Sequence, residues 1–101
     1  MTADELTRLR ERMDAINAHL CAVLHERAAL CREIGAWKRR HGVAAADPAR
    51  EAAMLAQLLS MPSTPAEPGT GLDRAALERI LRCVLDESRA LVAVSMRAEP
   101  S

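Results

Sequence analysis

The chain has 101 residues, half of them hydrophobic, which suits one small domain with a real core. Trp37 is the only aromatic residue, so that core must be aliphatic, built from Leu, Ala, Val, Ile and Met. Strand-favouring residues are scarce and helix formers abundant, which argues against an all-β fold. The missing aromatics argue equally against base-stacking modes of single-strand nucleic-acid binding. Fourteen basic residues balance fourteen acidic ones, so no basic excess points to DNA or RNA.

No apolar run approaches the ~20 residues of a membrane span. The acidic start, Met1-Thr-Ala-Asp-Glu, shows no secretory signal. Cys21, Cys31 and Cys83 are odd in number and lack CxxC spacing. They read as reduced thiols of a cytoplasmic protein. Cys21 and His25 are one helical turn apart, but no third ligand accompanies them. No metal or cofactor is expected.

The first segment is the most informative. Leu6, Met13, Leu20, Arg27 and Ile34 recur every seventh residue, as do Leu9, Ile16, Val23, Leu30 and Trp37. Together they form an a/d heptad seam, and no proline interrupts it. Gly35 is its one weak helix former. Gly42 supplies a stop, preceded by Lys38, Arg39, Arg40 and His41, which suit the negative end of a helix dipole. The spacing predicts one helix over 4–41. At 1.5 Å per residue it is roughly 55 Å long, nearly twice the ~30 Å diameter of a small domain. Two shorter helices of the same chain cannot cover such a seam, whereas a second copy can. The expected architecture is all-α, a three-helix chain in an intertwined homodimer.

A second helix is predicted over 48–60, with Asp47 as N-cap and Pro48 in its first position. Three prolines and two glycines between residues 60 and 71 predict a loop over 61–71. A third helix is predicted over 73–96, with an apolar stripe that includes Leu77, Ile80, Leu81, Val84, Leu85, Leu91 and Val92. A short polar tail ends at Ser101. The whole of 1–101 reads as one domain.

Charges fall where charges are costly. Arg27 occupies an a position inside the seam, and Arg10 and Lys38 share the neighbouring e register. Without a partner such a cation is expensive to bury. One answer is an interhelical salt bridge or a register-setting polar contact. The other is a polar cavity whose anionic partner is a ligand. Arg27 and Lys38 are close to three turns apart on one face, about 16 Å along the axis, and could grip opposite ends of a small dianion. Arg10 lies about 25 Å from Arg27 and cannot reach the same ligand within one chain. In an antiparallel dimer the partner's Arg10 can, giving two sites built from both subunits. Arg50 and Glu51 open the second helix after the turn that follows Lys38. Taken alone they read as surface charges. Ser88 interrupts the apolar stripe of the third helix, either as a small residue bonded to the preceding turn or as a polar group of the cavity.

The stretches LTRLRERMDAINAHL, VLHERAALCREIGAWKRRHG, DPAREA and ESRAL, in that order, resemble the all-helical chorismate mutases of the AroQ type. The likeness spans roughly residues 5–92. It implies an interlocked dimer of three-helix chains that rearranges chorismate to prephenate, on the shikimate route to Phe and Tyr. By matching position it implies that Arg27 and the partner's Arg10 bind the substrate carboxylates. Lys38 would hydrogen-bond the ether oxygen, Asp47, Arg50 and Glu51 would line the pocket with Glu51 on the ring hydroxyl, and Ser88 would contact a carboxylate. A pericyclic shift needs no nucleophile, metal or acid–base pair, in keeping with a sequence that shows no triad or metal set.

One position departs from the pattern. Where the family usually has Gln or Glu, this chain has Val92, which cannot donate a hydrogen bond. Losing one preorganised donor costs about 10²–10³ in rate in other enzymes. Three consequences are compatible with Val92: an intrinsically weak mutase, a mutase compensated by a neighbouring side chain or boosted by an early shikimate-pathway enzyme, or a related activity on the same scaffold. That related activity would be an isochorismate pyruvate lyase or an aminodeoxychorismate mutase. A non-catalytic helical interaction module is the reading from outside enzymology.

Overall fold

A computed structural model describes residues 2–61 and 71–97. They form three helices, α1 (Ala3–His41), α2 (Pro48–Leu59) and α3 (Arg74–Arg97), and no strand occurs among the described residues. The architecture is all-α, as the sequence predicts, and each helix begins and ends within one residue of its predicted bounds. Most of the predicted 61–71 loop, and the tail after Arg97, lie outside the described residues.

Local chemistry explains the three helix starts and the end of α1. Thr2 and Glu5 form a capping box: the Thr2 hydroxyl accepts from the Glu5 N–H, and the Glu5 carboxylate accepts from the Thr2 N–H, each at 3.1 Å. This starts α1 one residue before its predicted position. At the other end Gly42 adopts φ 64°, a left-handed conformation that glycine reaches without steric cost. The Val43 N–H then reaches the Lys38 carbonyl at 2.9 Å, so orphan carbonyls of the last turn are satisfied. The Asp47 carboxylate caps α2 by accepting from the Arg50 N–H at 3.1 Å, and Asp73 caps α3 by accepting from the Ala76 N–H at 2.7 Å. Arg74 donates to the Leu59 carbonyl at 3.2 Å, tying the end of α2 to the start of α3.

The helix α3 is the hub, because α1 and α2 each pack on it rather than on one another. Leu55 and Leu59 of α2 meet Leu85 of α3, with Met54, Leu77 and Leu81 around them. Cys31 and Gly35 of α1 and Val92 of α3 are the other buried positions. At Gly35 the helices nearly touch: a Cβ built there would lie 2.9 Å from the Val92 carbonyl oxygen and 2.6 Å from the Ser95 Cβ.

The heptad seam takes almost no part in this packing. All ten of its residues except Arg27 are exposed, Ile16 at 60 % and Met13 at 55 %. The face that α3 covers lies beside the seam, in the register of Cys31 and Lys38. The chain measures 58 × 31 × 17 Å, with a radius of gyration of 17.8 Å. A compact chain of about 100 residues has a radius near 13 Å. Its accessible surface is 8137 Å². A compact monomer of this mass would expose roughly 5,600 Å².

Candidate active site

A cavity of about 340 Å³ opens where the C-terminal half of α1, the α1–α2 turn, the start of α2 and the middle of α3 converge. Arg27, Lys38, Asp47, Arg50, Glu51, Ser88 and Val92 all line it, so seven of the eight positions singled out in the sequence come together. Its size lies within the range of small-molecule sites. Four cations, Arg27, Lys38, Arg50 and Arg89, face two carboxylates, Asp47 and Glu51. The lining therefore carries a formal surplus of positive charge.

Each cation is held differently. Arg27, half-buried on α1, donates to the Ser88 hydroxyl of α3, and its Nη1 also lies 3.9 Å from Cys31 Sγ. No carboxylate pairs with it among the described residues, and its interhelical partner is the Ser88 hydroxyl at the cavity wall. Ser88 donates in turn to the Val84 carbonyl at 2.7 Å, so both readings of that serine hold together. Lys38 donates from Nζ to the Ala45 carbonyl at 2.9 Å. That contact exists because the Gly42 stop folds residues 43–47 back over the last turn. An ammonium has three donors, so two remain for a ligand. Asp47 serves twice, as the cap of α2 and as part of the lining.

One expectation needs adjustment. Arg50 and Glu51, taken alone, read as surface charges, yet both border the cavity and Glu51 is half-buried. Arg10 is fully outside the cavity: it stands exposed on α1. Within one chain it joins no other site residue, as its distance along the helix requires.

The sequence reading passed over several lining residues. Ile34, Met54 and Leu85 supply apolar wall, Cys31 sits beside Arg27, and Arg89 brings a fourth cation. Arg89 donates from Nε to Glu51 at 3.0 Å and from Nη2 to Asp86 at 2.8 Å. A helical-face reading could have found it, since Leu85, Arg89 and Val92 are spaced by four and three. Val92 itself is buried and presents only methyl groups.

A second cavity of about 320 Å³ adjoins the first through the shared residues Arg27 and Ser88. Leu24, Ala28, Val84 and Leu91 make it largely apolar, with Glu87 at its edge. Among the described residues no helix is long and apolar enough to cross a membrane, and no group of three or more potential metal ligands occurs.

The family model for chorismate mutase type II matches residues 9–93. No curated protein matches the chain. A match over most of the length, on an all-helical three-helix chain, settles the membership: the chain belongs to the type II chorismate mutase family.

Proposed function

We propose that the protein is a chorismate mutase, an isomerase that converts chorismate to prephenate, working as an intertwined homodimer with two shared sites. The observation that carries this reading is the cavity in which Arg27, Lys38, Arg50, Glu51 and Ser88 converge with a surplus of positive charge. Chorismate is a dicarboxylate whose enolpyruvyl arm must fold over its ring before the C–O bond breaks and the new C–C bond forms. Arg27, braced by Ser88, takes one carboxylate. Arg10 of the partner subunit takes the other, and the two guanidinium groups clamp the substrate in a near-attack geometry. Lys38, steadied by the Ala45 carbonyl, donates to the ether oxygen as negative charge builds there. Glu51 accepts from the ring hydroxyl, while Asp47 and Arg50 complete the wall. Catalysis is then differential binding of the transition state, with no covalent step.

The unburied seam supports the dimer. The excess of roughly 2,500 Å² over a compact monomer is larger than one partner's share of a standard interface, ~800 Å². The apolar groove beside Arg27 gives a second α1 somewhere to lie, next to the place where Arg10 is needed.

Val92 makes the enzyme intrinsically slow, because its place in the cavity wall offers no donor. Activation by an early shikimate-pathway enzyme would offset that deficit. Such a role fits an aromatic-amino-acid biosynthetic enzyme of the cytoplasm. The same valine favours one second reading, a related enzyme on this scaffold such as an isochorismate pyruvate lyase or an aminodeoxychorismate mutase. Incubating the purified chain separately with chorismate and isochorismate, and identifying the products, decides between them. Prephenate from chorismate supports the mutase, and pyruvate from isochorismate overturns it in favour of the lyase. Val92→Gln should raise turnover of chorismate by ~10-fold or more. An unchanged rate would show that the absent donor is not what limits the enzyme.

A further inference from the structure

Glu51 carries a tie that its proposed contact with the substrate does not use. The Arg89 guanidinium lies between two carboxylates, with Nε on Glu51 Oε1 at 3.0 Å and Nη2 on Asp86 Oδ1 at 2.8 Å. Glu51 and Arg89 line both the central cavity and a neighbouring one of about 290 Å³ between α2 and α3, so the pair is part of the wall dividing them. Asp86 borders only the outer cavity and is 66 % exposed, so solvent screens it. What the central cavity meets is Glu51, 27 % exposed, with a permanent cation against one of its oxygens.

We propose that Arg89 is a specificity-determining residue that acts through Glu51, fitting the site to a neutral hydroxyl on the substrate ring and against an ammonium at the same position. The assignment rests on the reading that Glu51 receives that ring substituent. A hydroxyl needs only an acceptor oxygen, and Glu51 Oε2 provides one whether or not Oε1 is occupied. An ammonium instead draws its affinity from net negative charge. Arg89 cancels that charge and places a like charge nearby, which penalises a cationic guest. Arg89 also fixes the carboxylate from α3, so that Oε2 keeps one orientation.

The test compares chorismate with 4-amino-4-deoxychorismate, in which an amine, cationic near neutral pH, replaces the ring hydroxyl. Binding by calorimetry and kcat/KM are both measured, so weak turnover does not hide the effect. The wild-type chain should prefer the hydroxyl compound. Arg89→Met should shift the affinity ratio about tenfold toward the amine, equivalent to about 1.4 kcal/mol. Arg89→Lys, which keeps the charge, should retain most of the preference. Asp86→Asn should change the ratio little. In a Glu51→Gln background, Arg89→Met should no longer move the ratio, because the group it acts through is gone. An Arg89→Met variant that weakens both ligands equally would overturn the assignment and leave Arg89 a purely structural tie. A wild-type chain that binds neither compound fails differently: it removes the functional reading and this assignment with it.

Discussion

The two halves of α1 share one helix and one heptad pattern but differ in surroundings. From Ala3 to Glu26 every residue is exposed. From Arg27 to His41, Arg27, Ala28, Cys31, Gly35, Ala36 and Lys38 turn toward α3 and the cavity. Even in this second half the seam residues Leu30, Ile34 and Trp37 stay exposed. The contrast teaches that the apolar repeat does not hold the protomer together. The protomer uses the stripe beside it, and the apolar residues of the repeat are left exposed from Leu6 to Trp37. A sustained run of exposed Leu, Ile, Val and Met is what an assembly surface looks like before assembly.

The harshest way to break this comparison is to charge the first half alone. Ile16→Glu sits about 16 Å from Arg27 along the axis and touches nothing in its own chain's cavity. If a second copy covers the seam, the variant should sediment at half the wild-type mass. Its mutase activity should fall about 10²-fold or more, because the partner's Arg10 leaves with the interface. Emission from Trp37, the lone tryptophan and itself on the seam, should shift to the red as water replaces the partner. A variant that keeps its mass and its rate would show that the seam serves some other purpose.

The next largest effect joins the halves. Arg10→Ala and Arg27→Ala should each reduce turnover about 10²–10³-fold without unfolding the chain. Arg10 is exposed and Arg27 half-buried, so neither truncation leaves a buried orphan. Mixing the two inactive variants under conditions that exchange subunits should restore activity. Each mixed dimer would hold one site with both arginines and one with neither. Random exchange makes half the dimers mixed, so recovery should approach roughly a quarter of the wild-type rate. If each site drew both arginines from one chain, mixing would restore nothing.

How far the sequence revealed this arrangement depends on the reach of each signal. The long helix, the Gly42 stop and the Asp47-Pro48 and Asp73 starts are local patterns, and the structure repeats them within a residue. The Thr2 capping box is local too, in the stretch Thr2-Ala-Asp-Glu5, and moves the helix start by one residue. Seven candidate positions match a family pattern by position, whereas periodicity alone marked the cations of α1 and Ser88, which breaks the apolar stripe of α3. The face of α3 could have marked Arg89, but its pairing with Glu51 stayed hidden because the two are 38 residues apart, beyond any helical spacing. Gly35 shows the limit most plainly. In sequence it is only a poor helix former. Its use appears when α3 arrives, bringing the Val92 carbonyl and Ser95 to where a side chain would begin.

That close approach gives the smallest but most local test of the contrast. Alanine is the better helix former, so in an exposed helix Gly→Ala should stabilise by roughly 1 kcal/mol. At Gly35 the added methyl would meet the Val92 carbonyl oxygen at 2.9 Å and the Ser95 Cβ at 2.6 Å, and backbone cannot swing aside as a long side chain can. Overpacking of this kind costs about 1–3 kcal/mol, so the net result of Gly35→Ala should be a less stable chain, read as a lower denaturant midpoint. Because Val92 lines the cavity, pushing α3 outward also moves part of the cavity wall, and kcat should fall with stability. Shrinking the neighbour with Ser95→Gly should relieve the shorter contact and recover part of both losses in the double variant. A stabilised, fully active Gly35→Ala chain would mean that the second half of α1 is as loosely held as the first, and the distinction between the two would collapse.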